Sequence, residues 1–94
     1  MKLNFEWEQK KAKDNLKNHR ISFDEALTIF SDSLSITIPD PAHSENEQRF
    51  IDIGTSAKSR VLVVVYTESR GIVRIISCRK AMPRERRVYE EDSN

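Results

Sequence analysis

The sequence predicts an α+β domain with the element order β-α-α-β-β-β-β-α, in which two N-terminal helices and a C-terminal helix pack on a mainly antiparallel sheet. Two observations predict this class. Apolar residues recur at helical spacing up to about residue 30, and from residue 34 onward they alternate with polar residues as in strands. Helices grouped at one end of a chain, beside a run of neighbouring strands, are typical of α+β architecture.

The first third of the chain predicts one strand and two helices. Residues 3–7 alternate apolar and polar, as a half-buried strand does. Residues 8–18 predict a helix with a narrow stripe of Ala12, Leu16 and His19. A capping box then begins the second helix, residues 22–30: Ser22 is expected to accept from the amide of Glu25, whose side chain reaches back.

The remaining chain predicts four strands and a last helix. Strands are expected at residues 34–38, stopped by the prolines at 39 and 41, and at residues 49–55. Residues 61–66 are apolar on both faces, which indicates a central strand. A turn at residues 69–71 joins it to a strand over 72–78, and Pro83 suits the first turn of a helix over 84–91. The acidic residues from about 90 to 94 are expected to be a disordered tail.

Length and composition limit the classes of function. The 94 residues fit a single domain, residues 1–94. The one cysteine, Cys78, lies in an apolar run and is interpreted as buried, and a single cysteine cannot form an internal disulfide or a multi-cysteine zinc site. The N-terminus has no signal-peptide pattern and no apolar run approaches the length of a membrane span, so we expect a soluble, cytoplasmic protein. With two glycines there is no phosphate-binding glycine loop, and no cofactor or metal is expected.

Charge is distributed unevenly along the chain. The net charge is +1 overall, but residues 57–87 contain nine Lys or Arg and two Glu, while residues 1–56 have a net charge of −3. Seven of the nine cations are arginines, whose planar fork of donors suits phosphate. Such a basic block predicts a polyanion-binding surface, and the alternative is a solvated face with scattered ion pairs.

Several stretches, in order along nearly the whole chain, resemble the BrnT toxin family. They are Phe5-Glu6-Trp7, Lys17-Asn18-His19, Ile21-Ser22-Phe23-Asp24-Glu25-Ala26, Glu47-Gln48-Arg49-Phe50, Leu62-Val63-Val64-Val65, Arg74-Ile75-Ile76-Ser77-Cys78-Arg79 and Arg84-Glu85-Arg86-Arg87 with Tyr89. The stretch from Arg74 to Arg79, followed by the arginine-glutamate-arginine motif, is the most specific. The chain departs from the family at Arg20, where a glycine is usual, and an arginine there would be strained in a left-handed helix cap.

The resemblance implies a fold similar to that of RelE- and barnase-like ribonucleases and the activity of a type II toxin. Such a toxin is an endoribonuclease that cleaves RNA through 2′-OH attack without a metal and so inhibits growth. It implies neutralisation by a BrnA-like antitoxin with a ribbon-helix-helix DNA-binding region, in a complex that represses its own operon. The resemblance is compatible with a homodimer of the toxin and with a 2:2 complex of toxin and antitoxin.

Arg74 and Arg79 are the first candidates for the catalytic site, because charged residues at the two ends of an otherwise apolar strand need a reason to be there. Strict alternation places them on opposite faces of that strand, unless Arg79 lies beyond its end or a bulge intervenes. An ion pair with Asp or Glu is the alternative for either. Further residues are expected to bind RNA phosphates: Arg60, Lys80, Arg84, Arg86 and Arg87.

Four other residues complete the candidate catalytic set. Glu47 and Arg49 lie two residues apart, where a polar loop enters a strand, and a surface ion pair is the alternative. His19 has a suitable intrinsic pKa for proton transfer, although a packed or helix-capping histidine is the simpler interpretation. Tyr89 could stack on a base or donate a proton, or it could dock the last helix. His43 lies in the polar loop and has no assigned role.

A second class of function remains open from the sequence. A non-enzymatic module that binds nucleic acid or a protein partner would use the same basic block, because acidic protein segments and RNA phosphates both attract arginines. Affinity for nucleic acid without cleavage would favour that alternative.

Overall fold

A computed structural model of the protein describes residues 3–40 and 48–92. Within these residues the element order is the predicted one, and the α+β class is confirmed. The elements are β1 (Asn4–Glu6), α1 (Gln9–His19), α2 (Phe23–Leu27) continued by a 3₁₀ turn (Thr28–Ser31), β2 (Ile36–Pro39), β3 (Arg49–Thr55), β4 (Val61–Ser69), β5 (Ile72–Lys80) and α3 (Pro83–Asp92). No helix in these residues has both the length and the apolar character to cross a membrane.

The strands form one sheet in the order β1-β5-β4-β3-β2. β4 is the central strand, as its apolar residues on both faces predict. β1 pairs with β5 in parallel, whereas the other three pairings are antiparallel. The β4–β5 hairpin turns through Arg70 and Gly71, both with positive φ (51° and 81°). Two positive φ values in a two-residue loop match the twist of the flanking strands, and Gly71 adopts this conformation without steric cost.

One face of the sheet, which we call the covered face, carries the main core. α1 and α2 lie on it, and Phe23, Ile29, Leu62 and Val64 are almost completely buried there. Aromatic rings extend this core. The ring centroid of Phe30 lies 5.2 Å from that of Phe5 and 5.0 Å from that of Tyr66. Trp7 meets Phe23 edge-on, with 5.8 Å between the ring centroids, and Phe50 stacks on Tyr66. Edge-on and offset rings pack favourably beyond the area that they bury.

α1 packs through a different stripe from the predicted one. Ala12 packs against the core as predicted, but Leu16 is 53% exposed and His19 is exposed, so of the two interpretations of His19 only packing against the core is wrong. Asn15 faces the sheet instead, where its Nδ2 donates to the Ile21 carbonyl (2.9 Å) and its Oδ1 accepts from the Cys78 amide (3.0 Å). A buried amide is accommodated because both of its polar atoms are paired.

Arg20 caps the C-terminus of α1 in the left-handed conformation (φ 59°, ψ 32°), and its amide donates to the Leu16 carbonyl. The helix therefore ends with the cap geometry that is usual for glycine. The residue at this position is an arginine, whose side chain makes the left-handed backbone conformation strained.

The second helix begins as predicted but ends earlier. The Ser22 hydroxyl accepts from the Glu25 amide at 3.0 Å, which confirms half of the capping box. The other half is wrong, because the Glu25 carboxylate turns to Ser56 and Arg60. Regular α-helix stops at Leu27 and tightens into a 3₁₀ turn, and at the other end of the chain α3 continues to Asp92, through residues that we expected in a disordered tail.

Candidate functional site

A bulge in β5 places Arg74 and Arg79 on the same face of the sheet. Ser77 pairs with Val65, and Ile75 pairs with the next residue of β4, Tyr66, so that Ile76 has no partner on β4. This extra residue reverses the alternation of side chains between the two faces. The expectation from strict alternation, which places the two arginines on opposite faces, is therefore wrong, because a bulge intervenes.

The face that carries both arginines is the one opposite α1 and α2, which we call the open face. α3 covers only one end of it, where Tyr89 packs with Ile53 and Val63. Beyond α3, the open face presents half-buried or exposed apolar side chains on the three strands β2, β3 and β4: Ile38, Ile51 and Val65.

Four polar residues form a row across the uncovered end of the open face, which we call the polar row. Arg49 on β3 pairs in register with Thr67 on β4, Thr67 pairs with Arg74 on β5, and Arg74 pairs with Glu6 on β1. Neighbouring strands lie about 4.8 Å apart, so Arg49 and Arg74 are attached about 10 Å from each other, on either side of the Thr67 hydroxyl.

Glu6 and Arg74 form the ion pair of the polar row. The Glu6 carboxylate accepts from Arg74 Nε (3.2 Å) and Nη2 (3.1 Å), and both side chains are about half exposed (49% and 50%). They line one surface cleft with Thr67, Ser69 and Arg70. Sequence reasoning did not select Glu6 or Thr67. Alternation around Phe5 indicates that Glu6 faces away from the core, but only the parallel β1–β5 pairing brings it to Arg74.

Arg79 lies on the open face at a distance from the polar row. On β4, Arg74 pairs with Thr67 and Arg79 pairs with Val63. These two partners are four residues apart, which corresponds to about 13 Å along a strand. Arg79 forms a two-point ion pair with Glu85 at the start of α3 (2.7 and 2.8 Å). Hydrogen bonding from Arg79 lowers the pKa of Glu85 to about 2. The structure therefore does not bring the two arginines to one phosphate-sized site.

Tyr89 docks α3 onto the rest of the domain. Its ring is buried (8% exposed), and its hydroxyl donates to Asp32 Oδ2 (2.6 Å) and lies 2.9 Å from Thr55 Oγ1. Asp32 also accepts from the amides of Leu34 and Thr55. Of the two interpretations of Tyr89, base contact and helix docking, the geometry favours docking.

Arg60 is held by a buried carboxylate. Glu25, 5% exposed, accepts from Arg60 through Nε (3.0 Å) and Nη2, and from the Ser56 hydroxyl (2.6 Å). Hydrogen bonding from Arg60 lowers the pKa of Glu25, so this ion pair persists at neutral pH. Lys80, Arg84, Arg86 and Arg87, the other predicted phosphate-binding residues, are exposed.

The remaining candidates lie apart from the polar row. His19 is at the exposed end of α1, on the covered side of the sheet, and Glu47 and His43 lie outside the described residues. Cys78 is fully buried, and burial raises the pKa of its thiol to about 12, which agrees with the predicted structural role. Within residues 3–40 and 48–92, no three His, Cys, Asp or Glu side chains come together as a metal site requires.

Comparisons with known proteins agree with this fold. A family model described as the ribonuclease toxin BrnT of type II toxin–antitoxin systems matches residues 7–85. The crystal structure of the Brucella abortus ribonuclease toxin BrnT superposes with a TM-score of 0.64 at 20% identity, over 87% of this chain and 97% of that one. No curated protein matches the sequence.

The family match extends from Trp7 on the covered face to Glu85 at the start of α3, so it includes Arg49, Thr67 and Arg74 of the polar row but not Glu6. Since this model matches well over half of the chain, the protein belongs to the BrnT family of ribonuclease toxins of type II toxin–antitoxin systems.

Proposed function

We propose that the protein is a metal-independent endoribonuclease that acts in the cytoplasm and cleaves RNA at the polar row. The observation that carries the proposal is the alignment of Arg49, Thr67, Arg74 and Glu6 across four strands of the open face. Arginines stay charged at any physiological pH, so they can stabilise a developing phosphorane where a metal ion would otherwise do so.

The polar row supports a division of roles in attack by the RNA 2′-hydroxyl. Glu6, which is ion-paired with Arg74, accepts the 2′-OH proton as the oxygen attacks phosphorus. Arg49 and Arg74 stabilise the added negative charge on the phosphorane. The bond from phosphorus to the 5′-oxygen breaks, that oxygen takes up a proton from water, and Glu6 returns its proton to the solvent. The products are a 2′,3′-cyclic phosphate and a 5′-hydroxyl end.

The experiment is cleavage of an end-labelled RNA by the purified protein in excess EDTA. We expect Arg74→Ala to lose about 10²–10³-fold in rate, the cost typical of removing one charge-stabilising donor. Glu6→Gln keeps the shape of the side chain but cannot accept the proton, so its cleavage rate should fall.

Lys11→Ala, an exposed change on α1, is the control for charge loss away from the open face. If the native wild-type protein leaves RNA intact in EDTA and becomes active only with a divalent cation, the metal-free mechanism is wrong. Ends with a 3′-hydroxyl would contradict 2′-OH attack.

We further propose neutralisation by a ribbon-helix-helix antitoxin whose acidic segment contacts α3, in a complex that represses its own operon. Arg84 and Arg87 support this assignment, because they are exposed and form no ion pair within the described residues. Light scattering of the co-expressed pair would show whether the complex is 2:2, and an operator-binding assay would test repression.

The alternative function is a binding module without catalysis. It is favoured by one observation: Arg79, a candidate for the catalytic set, is ion-paired with Glu85 and lies about 13 Å along β4 from the polar row. RNA that is bound by the wild-type protein in a salt-dependent way, and recovered intact after long incubation, would establish the module instead of the nuclease.

A further inference from the structure

A second basic site lies at the end of the sheet opposite the polar row. The β3–β4 turn, the end of β5 and the first turns of α3 enclose a cleft of about 250 Å³. Its lining residues are Ser59, Arg60, Val61, Lys80, Ala81 and Arg86. We call it the basic cleft, and three cations from three different elements of the chain meet in it.

Arg60 is prearranged in this cleft. Glu25 takes up its Nε and Nη2 donors from behind and leaves Nη1 for other ligands. The turn that carries Arg60 is itself closed by backbone hydrogen bonds, from the Ser56 amide to the Arg60 carbonyl (2.8 Å) and from the Ser59 amide to the Ser56 carbonyl (2.9 Å). An arginine fixed in this way loses little side-chain entropy when it binds an anion.

The cleft has an excess of positive charge. Glu25 balances the charge of Arg60, whereas Lys80 and Arg86 have no carboxylate partner in the part of the chain that the structure describes. Two uncompensated cations beside a fixed guanidinium and the Ser59 hydroxyl match a phosphate group in charge and in hydrogen bonding.

We propose that the basic cleft binds a backbone phosphate of the same RNA strand that is cleaved at the polar row, and this rests on the proposed function. Val61 and Thr67, at the two ends of β4, are six residues apart, or about 20 Å. If the strand keeps the base stacking of a duplex, with a rise of about 3.4 Å per nucleotide, that distance corresponds to about six nucleotides. A nucleic acid strand supplies a phosphate at each of these intervals, so a single strand can occupy both sites.

The test compares a short and a long RNA. We measure binding of 2′-O-methyl oligonucleotides of 4 and 12 nucleotides, which have no free 2′-hydroxyl, to the wild type and to Lys80→Ala/Arg86→Ala. The variant should bind the 12-mer about tenfold more weakly, with a salt slope lower by about 1.4 for two lost contacts on a single strand. Binding of the 4-mer, too short to span from the polar row, should change less than twofold.

Lys10→Ala/Lys17→Ala on α1 removes the same charge away from the cleft and is the matched control. If the affinity falls equally for both lengths, or equally in the control variant, the cleft contributes only general electrostatic attraction and the proposal is overturned. Unchanged RNA binding with a loss of hexaglutamate binding would assign the cleft to an acidic protein partner instead. Because neither oligonucleotide can be cleaved, these results are independent of whether Arg74→Ala abolishes cleavage.

Discussion

The two faces of the sheet differ in what fills them. On the covered face, two helices and six aromatic rings exclude water, and the polar atoms of Asn15 are paired with backbone groups. On the open face, the short helix α3 covers one end, and the other end presents two arginines, a threonine and a glutamate. The same strands serve both faces, because successive side chains point to opposite sides.

Under the proposed function, this difference separates the residues that determine stability from those that determine activity. Apolar burial on the covered face supplies most of the folding free energy, so the open face can keep charged groups that add little to stability. Substitutions on the covered face should therefore unfold the protein, whereas substitutions in the polar row should leave it folded and inactive.

The largest expected effect on stability is at Phe23. Its ring is 1% exposed and meets Trp7 edge-on, so Phe23→Ala should lower the free energy of unfolding by about 3–5 kcal/mol. Ile38→Ala, at a 41% exposed position on the open face, is the matched control and should cost less than about 1 kcal/mol. Urea denaturation of both variants measures the contrast, and similar losses would show that the two faces contribute alike.

Asn15→Ala should cost less, about 2–3 kcal/mol. The change leaves the Ile21 carbonyl and the Cys78 amide without their buried partner. The Asn15→Ala variant also tests whether a polar group on the covered face affects the stability of the protein without affecting its cleavage rate. Thermal unfolding gives the loss, and the cleavage rate at a temperature where the variant is folded should equal that of the wild type.

A smaller, pH-dependent effect is expected from Glu85 on α3. Its pKa is lowered from 4.5 to about 2, so the stabilisation from its ion pair with Arg79 is complete above pH 4.5 and declines as the pH falls toward 2. The difference in unfolding free energy between the wild type and Glu85→Gln should shrink over this range. Glu91→Gln, exposed on the same helix, controls for the lost charge, and a pH-independent difference for Glu85→Gln would argue against the ion pair.

The smallest effect is expected at Arg20, away from both faces. Arg20→Gly removes the strain of a side chain on a backbone with φ 59°, but glycine also gives the unfolded chain more conformational freedom. The free energy of unfolding should therefore rise by a net amount of about 0.5 kcal/mol. Asn18→Gly, inside the same helix, should instead lose about 1 kcal/mol. A lower melting temperature for Arg20→Gly would mean that the arginine side chain makes a compensating contribution.

The sequence predicted the covered face better than the open one. Local signals were sufficient for the element order, the β4–β5 turn and the Ser22 cap, since helix caps and turns depend on neighbouring residues. The packing stripe of α1 was mispredicted because Asn15 faces the core, and a polar residue does not register in a pattern of apolar spacing.

The polar row could not be predicted because it depends on strand register. The bulge at Ile76 has no signature in an apolar run, yet it decides that Arg74 and Arg79 share a face. Glu6 reaches Arg74 across 68 positions of sequence, and no local pattern shows which strand pairs with β1. The sequence analysis singled out Arg74 and Arg49 without indicating which residues lie beside them on the neighbouring strands.

The parallel pairing of β1 with β5 also has a consequence for biosynthesis. Residues 4–6 are synthesised well before their partners, residues 72–74, because Glu6 and Arg74 lie 68 positions apart in the chain. Contacts between such distant segments form late, because the intervening chain must be ordered to close the loop. A nascent chain that has not reached residue 74 therefore lacks the Glu6–Arg74 ion pair, on which the proposed cleavage depends.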